Sequence, residues 1–330
     1  MKLRYLKYYC CTKCKTNQLM INKDIQFSNK ELINGNLICS NCNKIYSVEN
    51  GIPRFVSAEN YISSFSYQWN LHRTTQLDSY TGFPVSHNRL FNVTGWPENL
   101  EGQMILEAGS GAGRFSEILA QTGAEIFSFD LSSAVEANYE NNKHYPNLNI
   151  FHGDIYNIPL LKAFFDKVLC LGVLQHTPEP ERAFKSLVRY VRPGGELIID
   201  VYAKKLTALL HWKYLLRPLT RHMDKKILYK VIKAVVPALL PISILFRRLM
   251  GKIGARLLPI VEYSHLGLPY ALNKQWAILD TFDMYSPLYD FPQSIEEVKK
   301  WFEDAGFLNI DVRYGSNGII GRGRCPEQLL

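Results

Sequence analysis

The sequence has no uninterrupted apolar run of membrane-spanning length. The apolar stretch AVVPALLPISILF has 13 residues and contains two prolines, so it is too short and too interrupted to predict a span. The opening MKLRYLKYYC carries scattered charges and no apolar centre, and it does not predict a signal peptide. With 21% charged and 47% hydrophobic residues over 330 positions, the composition excludes disordered, collagen-like and coiled-coil classes, and the length predicts about two globular domains.

Cysteine is scarce, with seven residues in the chain. A chain of this length buries enough surface to fold without disulfides, so we expect a reducing compartment, the cytoplasm. Four of the cysteines form two C-x-x-C pairs, Cys11 with Cys14 and Cys39 with Cys42. Brought together by a hairpin, they present four thiolates that suit Zn²⁺, and a block of about 50 residues needs such a metal for stability. The alternative is four reduced structural cysteines without a metal.

Acidic residues are nearly missing from one segment. Between Lys204 and Pro259 there are 13 lysines and arginines and one acid, Asp224. The net charge of the whole chain is +8, so this segment supplies the entire basic excess. Such a segment favours contact with an anionic partner, either a nucleic acid or a membrane.

Short apolar runs alternate with helical patterns between residues 103 and 202. Five runs have the length of strands: MILEA, AEIFSF, LNIF, FDKVLCLG and ELIIDVY. After the first of them, Phe115, Ile118 and Leu119 have the spacing of one helix face. Strands that alternate with helices predict an α/β fold with a parallel, doubly wound sheet. A capping box at Ser294 and Glu297 begins a later helix, and LNIDVRY is expected to complete the sheet.

A glycine-rich turn follows the first strand. In ILEAGSGAGRF, Glu107 precedes glycines at positions 109, 111 and 113. Glycines let the backbone turn sharply and approach a ligand closely, and the N-terminus of the following helix offers free N–H groups. The dinucleotide-binding pattern would need a further glycine where this chain has Arg114. The spacing is therefore E-x-G-x-G-x-G.

Two aspartates end the next strands. Asp130 ends FSFD, where a carboxylate can accept both hydroxyls of a ribose, and Asp154 ends HGDI, where it can meet an adenine amino group. Together with the glycine turn, FDKVLCLGVLQHTPEPERAF and RPGGELIIDVY, these residues resemble the class I S-adenosylmethionine-dependent methyltransferases. The resemblance covers residues 61–202. It implies a Rossmann-like fold with a mostly parallel seven-stranded sheet, and S-adenosylmethionine as the cofactor.

The same resemblance implies which residues hold the cofactor. Glu107 and the glycines would hold the methionyl part, Asp130 the ribose and Asp154 the adenine. Tyr67 and Trp69 would fold over the cofactor, the alternative being an aromatic helix that fills the core. The predicted cofactor-binding residues are Glu107, Gly109, Ser110, Gly111, Gly113, Asp130, Leu131, Asp154, Ile155, Leu171, Gly172, Tyr67 and Trp69.

The acceptor is expected to bind beside the segment that follows the fourth strand, because in the family this segment faces the transferred methyl group. Here it contains Gln175 and His176. His176 is the candidate base, because an imidazole that titrates near neutral pH can deprotonate an acceptor. The alternative is a structural role at the start of the next helix. A second group of candidate acceptor contacts consists of Asp280, Asp283, Tyr285 and Tyr289.

The first block carries a second resemblance. CSNCNKIYSVENGIPRF is similar to the small zinc-ribbon protein that activates several methyltransferases as a separate subunit, here fused in one chain. We therefore predict a zinc ribbon over 1–56, a methyltransferase core over 57–203, a basic helical insert over 204–265 and the C-terminal part of the sheet over 266–330.

Three hypotheses compete for the insert. It is a lid over the acceptor pocket, an interfacial membrane element that serves a lipid-linked acceptor, or an RNA-binding surface. The prolines at positions 218, 237, 241 and 259 are predicted to break it into short helices, which favours the lid. Its predicted apolar stripe consists of Ile227, Leu228, Val231, Ile232 and Val235.

The predicted function is methyl transfer to a small-molecule, glycan or lipid-linked acceptor by a cytoplasmic enzyme, with peripheral contact at the inner face of the membrane as a further expectation. The first alternative is an RNA methyltransferase, since some bacterial rRNA methyltransferases also carry an N-terminal zinc ribbon. The chain has GVLQH where enzymes that methylate base amino groups often have N/D-P-P-Y/F, which disfavours it. The second alternative is a non-catalytic scaffold, which the intact Glu107, Asp130 and Asp154 disfavour.

Overall fold

Two sheets organise the chain. The structure is a computed structural model that describes residues 1–22, 25–28, 31–56, 68, 71–204 and 212–327. Strands of the N-terminal block form a small antiparallel sheet, and the later strands form a seven-stranded, mostly parallel sheet. Tyr67 and Trp69, both predicted to cover the cofactor, lie outside the described residues.

The small sheet is built around its longest strand, β3. Strands β1, β2 and β4 all pair with β3 in antiparallel register, and β5 pairs with β4. The strand bounds are β1 Leu19–Ile21, β2 Gln26–Ser28, β3 Glu31–Cys39, β4 Ile45–Glu49 and β5 Ile52–Pro53. The two C-x-x-C pairs flank this hairpin, because one precedes β1 and the other begins at Cys39, the last residue of β3.

The large sheet has the order β11-β12-β10-β9-β6-β7-β8. Neighbours from β10 to β8 are parallel, and β12 is antiparallel to both of its neighbours. The chain order reverses between β9 and β6, and ligand sites of doubly wound sheets lie at the carboxyl ends of strands at such a point. The bounds are β6 Met104–Ala108, β7 Glu125–Asp130, β8 Leu148–His152, β9 Phe165–Leu171, β10 Val191–Val201, β11 Leu308–Tyr314 and β12 Ile319–Arg324. The predicted doubly wound α/β sheet is confirmed.

Helices connect these strands as the periodicity predicts. Phe115, Ile118 and Leu119 are buried, and the capping box of Ser294 and Glu297 is present. The bounds are α1 Asp78–Thr81, α2 Val85–Thr94, α3 Arg114–Gln121, α4 Ala134–Asn142, α5 Pro180–Val188, α6 Trp212–Thr220, α7 Lys225–Gly254, α8 Tyr270–Tyr285 and α9 Ile295–Asp304.

The prediction that prolines break the basic insert is wrong for Pro218, Pro237 and Pro241. Pro218 lies inside α6. Helix α7 runs through Pro237 and Pro241, and its non-helical residue is Gly251, with a φ of 60°. Each proline removes one backbone hydrogen bond. The loss is tolerated because the helix packs along its length on α8, with four side chains in one shared core: Leu228, Ile232, Val236 and Leu240.

The predicted apolar stripe of α7 divides between two environments. Leu228 and Ile232 are buried in the core with α8, whereas Ile227, Val231 and Val235 are exposed. The difference arises because α8 covers only one side of α7. Helix α8 itself begins after residue 265, so the predicted domain boundary at that position separates two helices that pack together.

The N-terminal block and the large sheet share one hydrophobic core. The Tyr9 ring stacks on Phe55 at 5.0 Å between centroids, and both rings contact Phe151 of strand β8. The Phe55 N–H donates to the His152 carbonyl oxygen at 2.9 Å. The zinc-ribbon block is therefore fixed against the β8 edge of the large sheet.

Candidate active site

The glycine turn lies directly after β6, at the carboxyl edge of the sheet. Gly109 and Gly111 have φ values of 80° and 53°, in the left-handed region that glycine adopts without strain. A Cβ on Gly109 would lie 2.3 Å from the Val173 Cγ2. The backbone N–H groups of Gly109 and Ser110 donate to the Phe129 carbonyl oxygen at 2.9 and 3.0 Å. The turn therefore passes closely between the end of β7 and the loop that follows β9.

A matched pair of glycine variants tests this close approach. Gly82 also has a positive φ, 72°, but nothing lies within 4 Å of its Cβ position. We expect Gly82→Ala to cost about 1–2 kcal/mol of left-handed strain, and Gly109→Ala to cost roughly 1–3 kcal/mol more through overpacking. Thermal denaturation of both variants measures the difference. Equal losses of melting temperature would mean that the Val173 contact relaxes without cost.

Glu107 lies behind the glycine turn and is not among the residues that line the cavity, and its contact with the cofactor stays a prediction. Its carboxylate is 3% exposed, and Oε2 accepts hydrogen bonds from the hydroxyls of Ser116 and Ser128 at 2.5 and 2.7 Å. Burial raises the pKa of Glu107 to about 7, although these hydroxyls oppose the shift. These two hydrogen bonds join β6 to α3, which carries Ser116, and to β7, which carries Ser128.

Gly113 has a structural role at the start of α3, and its cofactor contact stays a prediction. It precedes the first residue of α3 with a φ of 89°, and a Cβ there would lie 2.1 Å from Asn138 Oδ1 and 2.4 Å from Asn142 Nδ2. The glycine therefore allows α4 to pack against the start of α3, and it is not part of the cavity wall.

Asp130 lines the cavity at the end of β7, together with Leu131. Its Oδ2 accepts from the Gly111 N–H at 2.8 Å, and its Oδ1 accepts from the N–H and hydroxyl of Ser132 at 2.8 and 2.6 Å. A carboxylate has about four lone-pair sites, so these three bonds orient Asp130 and leave acceptor capacity toward the cavity.

Two neighbouring residues after β8, Asp154 and Ile155, were predicted to bind the cofactor. Ile155 lines the cavity, but Asp154 does not. The Oδ1 of Asp154 accepts from the Tyr156 N–H at 2.9 Å, and burial raises the pKa of this carboxyl. The carboxylate of Asp154 therefore stabilises the turn that it begins, through the backbone N–H two residues later.

The turn after β9 brings Leu171, Gly172 and His176 to the cavity, whereas Gln175 is fully buried outside it. The His176 Nδ1–H donates to the Tyr289 carbonyl oxygen at 3.0 Å. Burial lowers the pKa of His176 to about 4, so the imidazole is neutral at physiological pH. This environment disfavours the predicted general-base role, since protonating the ring is costly there.

These turns form one side of a cavity of about 1190 Å³. Sites for one small ligand have volumes of about 300–1,000 Å³, so this cavity has room for two reactants. Its other side comes from α2, α8, the residues after β10 and the ends of α6 and α7, among them Arg89, Tyr202, Lys213, Tyr214, Lys252, Arg256, Asp280 and Asp283. The insert therefore borders the cavity, as the lid hypothesis expects.

Two carboxyls of α8, Asp280 and Asp283, face the cavity. Asp280 accepts from the Tyr263 hydroxyl and from Gln76 Nε2, the latter at 3.2 Å. Asp283 accepts from the Tyr202 hydroxyl at 3.4 Å. Burial raises the pKa of each aspartate to about 6. Both carboxyls are therefore poised to gain or lose a proton near neutral pH.

The two tyrosines predicted as acceptor contacts do not line the cavity. Tyr285 is 4% exposed, and its hydroxyl donates to the Pro259 carbonyl oxygen at 3.0 Å. The backbone carbonyl oxygen of Tyr289 accepts from His176 and from Arg217 Nη2. Tyr285 thus joins α8 to the insert, and Tyr289 contributes its backbone.

One ion pair at the carboxyl ends of the strands was not predicted from the sequence. Arg89 Nη2 lies 2.8 Å from Asp200 Oδ2, and Asp200 Oδ1 accepts from the Gly172 N–H at 2.5 Å. Asp200 is 1% exposed and fixes the turn that follows β9. A signal was available, since ELIIDVY places an acid at the carboxyl end of a strand.

Gln76 and Arg114 form a second connection missed from the sequence. Arg114 Nη1 donates to Gln76 Oε1 at 2.6 Å, and Gln76 in turn donates to Asp280. Burial lowers the pKa of Arg114 to about 10. No sequence pattern could show this, because the three residues are far apart along the chain.

The four predicted zinc ligands come together as expected. All four Sγ atoms lie within 4.8 Å of one another, with Cys11 to Cys42 and Cys14 to Cys39 at 3.5 Å. Zinc–sulfur bonds of about 2.3 Å in a tetrahedron place sulfurs about 3.8 Å apart, so the cluster fits the ion. Tyr46 supports it, because its hydroxyl lies 3.1 Å from Cys11 Sγ.

Comparison with known proteins decides the nature of the central segment. Residues 106–199 match the family model described as "Methyltransferase domain". This segment is a methyltransferase domain. It contains the glycine turn, Asp130 and the turn after β9, so the three features of the cavity wall belong to the domain.

Curated relatives match about a third of the chain. The ubiquinone biosynthesis O-methyltransferase of Coxiella burnetii (strain Dugway 5J108-111) is 31% identical over 114 residues, which are 34% of this chain and 49% of the relative. The protein of that name from Pseudomonas fluorescens (strain Pf0-1) is 30% identical over 130 residues, 37% of this chain and 56% of the relative. The chain thus spans about half the length of the curated relatives it matches.

Solved structures extend over more of the chain at lower identity. A S-adenosyl-L-methionine-dependent methyltransferase of Methanococcus maripaludis is 16% identical, with 83% of this chain and 99% of that chain covered and a TM-score of 0.46. A chain of the complex between the Haloferax volcanii Trm112 methyltransferase activator and a methyltransferase is 14% identical, with coverages of 82% and 99% and a TM-score of 0.45.

Proposed function

We propose that this protein transfers the methyl group of S-adenosylmethionine to a hydroxyl of a small-molecule, glycan or lipid-linked acceptor. The supporting observation is one cavity that has the methyltransferase turns on one side and two aspartates with raised pKa values on the other. S-adenosylmethionine, when bound, supplies an electrophilic methyl group on a sulfonium. The protein then has to bind, orient and deprotonate the acceptor.

The cofactor would occupy the carboxyl edge of β6, β7 and β9. Gly109 and Gly111 line the cavity with backbone in the left-handed region, and Asp130 is already oriented by the Gly111 N–H. Apolar contacts come from Leu131, Ile155 and Leu171, all at the cavity wall. This set fits a nucleoside with a charged amino-acid tail, since it combines a carboxylate, backbone groups and apolar side chains.

Asp283 is the proposed base for the acceptor. It faces the cavity, and the one hydrogen bond described for it is the 3.4 Å contact with Tyr202. Its carboxylate would accept the proton of the acceptor hydroxyl as the acceptor oxygen bonds to the methyl carbon. The bond between that carbon and the sulfonium would break, which leaves the O-methylated acceptor and S-adenosylhomocysteine. Asp280 is proposed to orient the acceptor, because Tyr263 and Gln76 hold it more tightly.

Loss of Asp130 tests the cofactor site. Asp130→Ala removes an acceptor for the ribose hydroxyls, and we expect S-adenosylhomocysteine to bind about 30- to 150-fold more weakly, equivalent to roughly 2–3 kcal/mol. Isothermal titration calorimetry of the full chain measures this. Asp304→Ala, at an exposed position of α9, is the control and should bind normally. Unchanged affinity in Asp130→Ala would remove this residue from the site.

The acceptor class is tested with labelled S-adenosylmethionine and fractions of a cell extract. We expect label in the lipid, glycan or small-molecule fraction, and none with Asp283→Asn. Label confined to the RNA fraction would contradict the proposal in favour of the RNA methyltransferase alternative. Absence of transfer to every fraction, despite normal S-adenosylhomocysteine binding, would favour the scaffold alternative.

A further inference from the structure

The outer side of α7 carries an exposed row of apolar side chains. Seven positions follow one another at intervals of three and four residues, which places them on one face of the helix. The six larger side chains are between 39% and 72% exposed. We refer to this set as the apolar row: Ile227, Val231, Val235, Ala238, Ile242, Leu245 and Leu249.

A basic row runs beside the apolar row. Adjacent positions of an α-helix differ by about 100°, so Lys226 and Lys230 lie on the flank of Ile227 and Val231. All members of the basic row are exposed, and within the described ranges none forms an ion pair. Helix α7 contains no aspartate or glutamate. The basic row consists of Lys226, Lys230, Lys233 and Arg248.

The third side of α7 belongs to the protein core. Leu228, Ile232 and Val236 are buried against α8. By length and composition α7 is the one helix of the described residues that could cross a membrane. A window of 18 residues within it has a mean hydropathy of 1.8, but only 28% of that window is buried. If α7 crossed a bilayer, its buried side chains would lose their packing on α8. If α7 lies in the membrane interface, that packing stays intact.

We propose that α7 is an interfacial helix that binds the surface of anionic membranes. The apolar row enters the boundary between headgroups and acyl chains, and the basic row contacts lipid phosphates. The charges favour this occupant over a second copy of the chain, since two acid-free basic helices repel each other. They favour it over RNA because the apolar row has no aromatic side chain on which a base could stack.

The helix also leads toward the cavity. Lys252, near the end of α7, and Arg256, just after it, both line the cavity, and neighbouring Met250 and Ile253 are exposed. A membrane bound along α7 would therefore lie beside the cavity entrance, where a lipid-linked acceptor could enter. This last step rests on the proposed function, whereas the membrane contact does not.

Flotation of the full chain with vesicles tests the membrane contact. The probes are phosphatidylcholine vesicles with and without about one third phosphatidylglycerol, at low and near-physiological salt. We expect binding to the anionic vesicles only, weakened by salt. Lys226→Glu, Lys230→Glu and Lys233→Glu together should weaken binding about 100-fold, and Val231→Glu with Leu245→Glu should abolish it.

Matched controls use exposed residues elsewhere in the chain. Lys299→Glu with Lys300→Glu on α9, and Leu308→Glu on β11, introduce the same kinds of substitution at exposed positions and should bind as the unmodified protein does. Calorimetry with S-adenosylhomocysteine verifies that each variant is folded. It also separates the two proposals, because normal cofactor binding without vesicle binding contradicts only the membrane contact.

Three outcomes would overturn the membrane proposal. The first is failure of the folded protein to float with anionic vesicles at low salt. The second is a dimer in light scattering that Val231→Glu with Leu245→Glu dissociates, without vesicle binding. The third is binding of RNA, but not of vesicles, that the three lysine reversals remove.

Discussion

A Cys39→Ser variant should be purified without zinc and should melt at a lower temperature than the unmodified protein. Cys39 supplies one of four thiolates whose sulfur atoms lie within 4.8 Å of one another. Structural zinc binds to such sites with an apparent free energy of about 10–16 kcal/mol, which contributes directly to folding. We expect one zinc per chain in the unmodified protein by elemental analysis, and a loss of melting temperature of more than about 5 °C in the variant.

The effect of zinc loss should extend beyond the ribbon. A ribbon that folded as an independent unit would unfold by itself and leave the methyltransferase domain intact. In the structure, Tyr9 and Phe55 share one core with Phe129 and Phe151, and His152 Nε2 lies 2.7 Å from the carbonyl oxygen of Leu131 at the cavity wall. We therefore expect new protease cleavage near β8 and weaker S-adenosylhomocysteine binding in the zinc-free variant.

Cys10→Ser is the matched control for this experiment. Cys10 is next to the cluster in sequence but does not belong to it, so the variant should keep one zinc. Retention of a full equivalent of zinc by Cys39→Ser would contradict the assignment. Zinc loss with an unchanged β8 edge would instead contradict the coupling through the shared core.

The second large effect is expected at Asp283. Asp283→Asn keeps the shape of the side chain and removes its ability to accept a proton. General-base catalysis contributes about 100- to 10,000-fold to rates, and we expect kcat to fall within that range. Asp280→Asn is the matched variant on the same helix, and it should mainly raise the KM for the acceptor.

The pH dependence separates a base from a merely structural residue. Burial raises the pKa of Asp283 to about 6, against the opposing charges of Lys213 and Arg217. Because only the ionised carboxylate accepts a proton, kcat/KM of the unmodified enzyme should rise with pH through an apparent pKa near 6. Asp280 has a raised pKa of similar value, so this apparent pKa belongs to the pair. The acid limb should persist in Asp280→Asn and disappear in Asp283→Asn.

Stability measurements show whether Asp283→Asn is folded. A carboxyl whose pKa is raised from 3.8 to about 6 on folding binds its proton more tightly in the folded protein, so its ionisation destabilises the fold as pH rises across that range. The neutral variant should therefore melt no lower than the unmodified protein at pH 7. A lower melting temperature would assign the loss of activity to unfolding, and an unchanged kcat would contradict the base.

Local patterns predicted the parts of the site that depend on local backbone geometry. The glycine turn, Asp130 and the strand–helix alternation all arise from residues close in sequence, so their positions at the carboxyl edge follow from the fold class. The two C-x-x-C pairs are local in the same sense, because a hairpin between them is enough to join four thiolates.

Predictions about helices and side-chain direction were less successful. Pro237 and Pro241 lie within α7 because packing on α8 supports a helix that intrinsic propensity alone would break. Tyr285 lies in that same core and not at the cavity. In both cases the deciding contact is between α7 and α8, whose first residues, Lys225 and Tyr270, are far apart in the chain.

The sequence by itself determined the methyltransferase fold, the glycine turn, the ribose-binding candidate Asp130 and the four-cysteine cluster, since each depends on residue types at short spacings. Only the tertiary structure decided that Glu107 lies behind the turn, that Arg89 pairs with Asp200, and that one core joins the ribbon to the sheet. It also decided which side of α7 is exposed. The physical reason is that burial, pKa shifts and ion pairs depend on neighbours brought from distant parts of the chain, which no local spacing records.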